Sequence, residues 1–208
     1  MRSKRPIGRA AVLVDWRNVL GFGANSPPGV PVGRFIRETM LAIQNACAEL
    51  ITSVAAGVRY QCRMRVYDGW HTQQTPTQNR LQFERLLVEI DGISNFSRTI
   101  GCVSFPFDPE FGDRLVNDEQ FGTLFDTKRA QGQKMIDTAI VADALVLLIQ
   151  NYTDLIIIVS DDDDYIPALV AARAMGRCLY LLRREGRTIE NVTIMYPDSP
   201  GIRHWSGL

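Results

Sequence analysis

Aspartate side chains stand directly after two apolar segments of this sequence, and they are the residues best suited to chemistry. Asp15 follows the apolar residues 10–14, and the run Asp161-Asp162-Asp163-Asp164 follows residues 155–159. Neighbouring carboxylates about 6 Å apart repel by roughly 3 kcal/mol at an effective dielectric constant near 20. Such a run needs full solvation or a positive partner. It predicts either a cation site or a solvated acidic turn that caps the next helix.

Carboxylate clusters of this kind suit metal-assisted hydrolysis of phosphodiester bonds. Carboxylate oxygens are the ligands that magnesium and other hard divalent cations prefer. A bound cation polarises the phosphoryl oxygen and lowers the pKa of the attacking water. The only histidines are His71 and His204, so a histidine-activated nucleophile has little support. An aspartyl-nucleophile phosphohydrolase is also disfavoured, because Arg17 stands where its second aspartate belongs.

The spacing of apolar residues predicts an α/β protein with an open, mainly parallel sheet of about five strands and helices on both faces. The predicted strands are residues 10–14, 64–67, 99–105, 155–159 and 178–182, with a short sixth at 192–196. The predicted helices are residues 33–53, 76–89, 133–151 and 164–175, and residues 106–132 are predicted to be an irregular loop. No second core or repeat is visible. We therefore expect one domain over residues 1–208, with a core at about 10–183 and a C-terminal extension at 184–208.

Acidic residues from three distant segments converge if the first and fourth strands are neighbours. Asp15, Asp162 and Asp164 then lie at the carboxyl ends of adjacent parallel strands, which is where ligands bind in such sheets. Asp137 lies in the first turn of the helix that enters the fourth strand, so it reaches the same edge. Its alternative role is that of an acid favourably placed near a helix N-terminus. Asp143 lies about 9 Å further along that helix and about 120° around it, which argues for an outer or structural role.

Three short blocks in this order resemble the motifs of the NYN domain family, PIN-like ribonucleases that include LabA-like proteins. They are Asp15-Trp16-Arg17-Asn18, Lys134-Met135-Ile136-Asp137 and the stretch from Ser160 to Pro167. The resemblance covers residues 10 to 183. It implies a parallel sheet in the order 3-2-1-4-5, a Mg²⁺ or Mn²⁺ site, and cleavage of single-stranded or structured RNA.

By motif position, the resemblance implies catalytic and metal-binding roles for Asp15, Asp137, Asp162 and Asp164. Asn18 matches the family's polar residue just after the first strand, and Tyr67-Asp68-Gly69 resembles a strand-end pattern of the same family. Asp164 has the alternative role of capping the following helix. Asp163 is expected to point to solvent.

Five further residues are candidate site residues with competing roles. Asn18 either orients the scissile phosphate or a water, or caps a turn, and Ser160 either donates to phosphate or makes a local turn bond. Lys134 either holds a phosphate or Asp137, or is a solvated helix start. Trp16 and Arg17 are candidate substrate contacts, the indole by stacking on a base.

Asp161 departs from the family pattern, which has glycine there, and Tyr165 replaces phenylalanine. A side chain at position 161 opposes a positive φ and adds charge, so we expect a reshaped loop or weakened activity. This departure keeps open the alternative of a weakly active or inactive RNA-binding or scaffold module.

The composition indicates a cellular compartment, but it does not identify a binding partner. The 23 basic and 23 acidic residues cancel, while arginines cluster near both ends, where they are either solvated or placed along a phosphate backbone. The four cysteines lack zinc-site spacing and favour a reducing compartment. No segment is apolar for the roughly 20 residues that a membrane helix needs. We expect a cytoplasmic protein that binds RNA, with a homodimer or a protein partner left open.

Overall fold

Strands and helices alternate through the residues that a computed structural model describes, namely 7–20, 26–72, 75–88, 94–116, 135–184 and 201–205. The strands are β1 (Ile7–Asp15), β2 (Arg59–Tyr67), β3 (His71–Thr72), β4 (Thr75–Pro76), β5 (Arg98–Ile100), β6 (Val103–Phe105), β7 (Glu110–Phe111), β8 (Leu155–Val159), β9 (Cys178–Arg184) and β10 (Ile202–Trp205). The helices are α1 (Trp16–Leu20), α2 (Val32–Val54), α3 (Gln78–Leu86), α4 (Ile136–Ile149) and α5 (Ile166–Ala174). A 3-10 turn, Asp163–Tyr165, leads into α5.

One mainly parallel sheet carries the fold, in the order β10-β9-β8-β1-β2-β6-β5, and β7 pairs with β2. Only the β5–β6 pair within it is antiparallel. The inner order β6-β2-β1-β8-β9 is the predicted 3-2-1-4-5 arrangement. The predicted number of about five strands is wrong, because β5, β7 and β10 bring the sheet to eight. β3 and β4 form a separate antiparallel ribbon.

The central strands β1 and β8 are buried on both faces, which explains their almost unbroken apolar sequences. Successive side chains of a strand point to opposite faces. Val12 and Val14 therefore pack on the α2 side of the sheet, while Leu13 packs with residues of α4 and α5 on the other. Helices on both faces are thus confirmed. Among the helices that the structure describes, none is long and apolar enough to cross a membrane.

Several predicted boundaries change for identifiable reasons. The predicted strand 99–105 is a hairpin of β5 and β6, because Gly101 at φ +57° turns the chain between them. The predicted helix 76–89 begins at Gln78, after Thr77, whose hydroxyl accepts a hydrogen bond from the Arg80 backbone N–H. The predicted loop 106–132 contributes β7, and its residues 117–132 lie outside the described residues. The predicted strand 192–196 also lies outside them, whereas β10 was not predicted.

Candidate active site at the carboxyl edge of the sheet

Asp15 ends β1 and is the buried centre of the candidate site, with 1% of its surface exposed. Its Oδ2 accepts hydrogen bonds from Asn18 Nδ2 at 2.6 Å, Tyr165 OH at 2.9 Å and Ser160 Oγ at 3.0 Å. Its Oδ1 accepts one from the Asn18 backbone N–H at 3.3 Å. Burial raises the pKa of Asp15, and the bonds from Asn18, Tyr165 and Ser160 oppose that rise. A nearby cation would act in the same direction as these hydrogen bonds and favour the ionised form of Asp15.

The Tyr165 hydroxyl joins Asp15 to Asp137, the second residue of α4. It lies 3.1 Å from Asp137 Oδ1, and its aromatic ring is fully buried. A phenol has one proton, so it donates to only one of these two carboxylates at a time. Partial burial raises the pKa of Asp137, as do the charges of Asp15, Asp162 and Asp164. The four predicted acids are therefore close enough to interact electrostatically.

Arginines from β9 neutralise alternate members of the acidic run. Asp161 Oδ1 accepts from the Arg184 backbone N–H at 2.9 Å, and its Oδ2 accepts from Arg184 Nε at 2.7 Å. Asp163 Oδ1 accepts from Nη1 of Arg183, whose side chain is 3% exposed. The expectation that Asp163 points to solvent is wrong, since it is half-buried and ion-paired. Two of the four charges in the run are therefore compensated within the fold.

Asp162 and Asp164 differ in what their carboxylates do. Asp162 Oδ1 accepts from the Asp164 backbone N–H at 2.9 Å and so caps the 3-10 turn. The capping role that the sequence offered to Asp164 therefore falls to Asp162, because the turn begins one residue before Asp164. Asp164 is exposed. α5 has no side-chain cap, and Pro167 occupies its first turn.

The other predicted site residues fall in three different environments. Asn18 and Ser160 touch Asp15 directly, and Ser160 Oγ also accepts from the Asp162 backbone N–H at 3.2 Å. Trp16 is 2% exposed and packs edge-to-face on Phe83, so the core accounts for it without a substrate base. Arg17 is half-buried on α1. Lys134 lies outside the described residues.

Asp143 binds partners of its own, Tyr67, Val116 and Arg65, which fits the structural role predicted from its helical spacing. It is 1% exposed and accepts from Tyr67 OH at 2.6 Å and from the Val116 backbone N–H at 2.7 Å. The Arg65 guanidinium lies 3.7 Å away. Burial raises the pKa of Asp143, and these partners oppose that rise. Its contacts link α4 to β2.

The acids suit a hard cation in their chemistry, although they do not form a closed ligand cage. Within the described ranges, no three Asp, Glu, His or Cys side chains are arranged to hold a metal ion together. Magnesium commonly keeps several waters and binds through one or two carboxylates. After burial, the charges of Asp15, Asp162 and Asp164 raise the pKa of Asp137, so positive charge at this edge would be stabilising. The donor set therefore fits a largely hydrated ion, and the Mg²⁺ or Mn²⁺ site stays a prediction.

Three residues of the site escaped sequence reasoning: the Tyr165 hydroxyl, Arg183 and Arg184. In the sequence, Tyr165 differs from the phenylalanine that the resemblance implies only by its hydroxyl, and arginines near the chain end fit either solvation or phosphate binding. The position of the arginines could have been predicted, because they directly follow the predicted strand that neighbours the one before the acidic run. Parallel neighbours place such opposite charges at the same sheet edge.

Of three comparisons with known proteins, one found a match. The family model described as NYN domain matches residues 9–192, a span that contains the whole acidic cluster. Searches of curated proteins and of solved structures found no match. NYN domains have a PIN-like nuclease fold and act on RNA. Because the matched span covers most of the chain, this protein belongs to the NYN domain family.

Proposed function

We propose that this protein is a metal-dependent endoribonuclease that hydrolyses RNA phosphodiester bonds at the cluster of Asp15, Asp137, Asp162 and Asp164. The observation that carries the proposal is the buried Asp15 carboxylate, whose raised pKa reflects burial that its hydrogen bonds only partly offset. Charge from three other acids reaches Asp137 at the same edge. Such a concentration of carboxylates favours a divalent cation and the phosphate chemistry it supports.

The residues around Asp15 act in the proposed reaction by holding its carboxylate in one orientation. Asn18 and Ser160 fix Oδ2, while Oδ1 has one long contact, to the Asn18 backbone N–H. Oδ1 is therefore the oxygen of Asp15 that we assign to the cation, with Asp137, Asp162 and Asp164 completing the acidic edge. When bound, Mg²⁺ or Mn²⁺ would polarise a phosphoryl oxygen and lower the pKa of the attacking water.

Substrate contacts and location complete the proposal. Arg17 and Lys134 are the proposed contacts to the phosphate backbone. All four cysteines are free thiols, which fits a reducing compartment such as the cytoplasm.

The test is cleavage of labelled single-stranded RNA, hairpin RNA and single-stranded DNA, each with Mg²⁺, Mn²⁺ or EDTA. We expect RNA cleavage that needs the metal and leaves 5′-phosphate and 3′-hydroxyl ends. Asp15→Asn and Asp162→Asn should lose it. Asp154→Asn is the matched control, because this exposed aspartate precedes β8 at the opposite edge of the sheet. Cleavage that persists in excess EDTA, or full activity in both site variants, would refute the mechanism.

A second candidate is an RNA-binding or scaffold module of the same fold with little or no turnover. One observation favours it: Asp15 Oδ2 already accepts three hydrogen bonds, and one of these donors, Tyr165 OH, lies between Asp15 and Asp137. A cation that needed both oxygens would have to displace the hydroxyl. Under this alternative, RNA binding would be equal in EDTA and in Mn²⁺, and no substrate would be cut.

A further inference from the structure

Arg184, the last residue of β9, contacts two segments of the site that are far apart in sequence. Its Nε donates to Asp161 Oδ2 at 2.7 Å, and its Nη2 lies 2.5 Å from the same oxygen in an ion pair. Its Nη2 also donates to the backbone carbonyl of Asn18 on α1 at 2.8 Å. The side chains of Arg184 and Asp161 are 18% and 13% exposed, so solvent screens this pair only partly. Such fork-shaped, charge-assisted bonds fix geometry as well as adding energy.

These contacts close a ring of hydrogen bonds around the candidate site. From Arg184 the ring runs to Asn18, whose Nδ2 donates to Asp15 Oδ2 at 2.6 Å. Asp15 in turn accepts from Ser160 Oγ, and Ser160 is the chain neighbour of Asp161. Asp161 returns to Arg184. The ring therefore joins the loop after β8 to the helix after β1 through one guanidinium group.

We infer that Arg184, anchored by Asp161, is a positioning residue that holds the Asn18 segment and the Asp162 loop in register around Asp15. Its catalytic consequence rests on the proposed function. The aspartate that departs from the family's glycine is, in this chain, the anchor of that residue. Glycine at position 161 would leave the guanidinium without its carboxylate. Lysine at position 184 would lack the planar fork that reaches two acceptors in fixed directions.

Arg183 contacts the same loop from the other face of the sheet. Its variants test folding, whereas variants of Arg184 test positioning. It is buried, and its Nη2 donates to the Asp161 carbonyl at 2.7 Å while Nη1 binds Asp163. Successive residues of a strand face opposite sides, so the two arginines contact the loop from both sides. Replacing a buried, paired arginine leaves an uncompensated buried charge, so Arg183 variants report on folding.

The test compares Arg184→Gln, Asp161→Asn and their double variant with Arg34→Gln. Arg34 is the matched control, because it forms an exposed ion pair with Glu38 on α2. Hydrogen–deuterium exchange of the α1 segment is one readout, and kcat and KM for RNA cleavage are the other. A purely structural role would shift the melting temperature without opening α1 selectively.

We expect faster exchange in α1 in both single variants, including Asp161→Asn, which is more than 140 residues away in sequence. We expect kcat to fall about 10- to 100-fold with KM little changed, as for other residues that orient ligands from behind. The double variant should lose no more than the worse single variant, because both break one unit. Unchanged α1 exchange in both single variants, or losses that multiply in the double variant, would overturn the inference. If the wild-type protein cuts no RNA, the proposed function fails, and the exchange experiment alone decides the positioning role.

Discussion

The Tyr165 hydroxyl offers the sharpest prediction, because it stands between two acids proposed to bind the cation. It lies 2.9 Å from Asp15 Oδ2 and 3.1 Å from Asp137 Oδ1, and its single proton serves one of them at a time. A cation held by Asp15 Oδ1 and Asp137 would compete with the hydroxyl for the lone pairs of Asp137 Oδ1. Tyr165→Phe removes that competition, so we expect Mn²⁺ to bind more tightly.

The magnitude follows from the net value of one hydrogen bond. A net contribution of about 1.5 kcal/mol, the low end for a bond to a carboxylate, corresponds to a roughly tenfold decrease in the Mn²⁺ dissociation constant. The stability of Tyr165→Phe should decrease, although its affinity for Mn²⁺ increases. A bond from a buried hydroxyl to a carboxylate contributes about 1.5–3 kcal/mol. The second carboxylate competes for the same proton, so we expect a loss near 1.5 kcal/mol, or about 3–6 °C in Tm.

Tyr67→Phe is the matched control for this measurement. It removes another buried hydroxyl–carboxylate bond, the 2.6 Å contact to Asp143, a carboxylate that is not among the proposed ligands. We expect a comparable loss of stability and unchanged Mn²⁺ affinity. Affinities from electron paramagnetic resonance titration at neutral pH, with Tm from calorimetry, provide the comparison. Weaker Mn²⁺ binding in Tyr165→Phe would refute the reasoning, because the hydroxyl would then support the cation.

Three further predictions concern the charge and packing of the same region. Burial raises the pKa of Asp15 above its ordinary value of 3.8, so the folded state holds this proton more tightly than the unfolded state does. The wild-type protein therefore loses stability as pH rises from about 3.8 through the raised pKa of the folded state. At pH 7, Asp15→Asn should unfold at a higher temperature than wild type. Below about pH 4, this difference should disappear. Calorimetry across this range checks the sign, and a lower Tm for Asp15→Asn at pH 7 would contradict it. Mn²⁺ affinity should fall as pH falls through the raised pKa values of Asp15 and Asp137, because protons compete for the same oxygens; pH-independent binding would place the cation elsewhere. Gly112→Ala should cost about 1–3 kcal/mol in urea unfolding, since its Cβ would lie 2.4 Å from the Tyr67 ring, whereas Gly33→Ala, with its nearest contact at 3.4 Å, should be tolerated.

The elements that the sequence predicts most closely are those whose apolar pattern is dictated by burial. β8 was predicted at its observed bounds because Leu155–Val159 is apolar on both faces. α2 was predicted within one residue because its apolar side chains recur at helical spacing and face one side of the sheet. The inner strand order came from the family resemblance, and the pairing of β1 with β8 that brings the acids together agrees with it.

The roles of the four aspartates in the acidic run cannot be told apart from the sequence alone. Four adjacent aspartates have the same chemistry, and their roles depend on partners from β9 that are about 20 residues away in the chain. Arg184 makes Asp161 an anchor, and Arg183 turns Asp163 inward. Trp16 likewise follows Asp15 directly, but its side chain packs in the core against Phe83. In each case a tertiary contact decides between roles that local sequence leaves equal.

We propose that the buried Asp15 carboxylate serves metal-dependent RNA cleavage. The most direct measurement is the single-turnover rate of cleavage of a labelled RNA by wild-type protein and Asp15→Asn, each shown to be folded, in Mn²⁺ and in excess EDTA. We expect cleavage by wild type in Mn²⁺ and none in EDTA. We expect a loss of at least about 100-fold in Asp15→Asn, the scale seen when a key charge-stabilising group is removed from an active site. Equal rates for the two folded proteins, or cleavage unaffected by EDTA, would contradict this proposal.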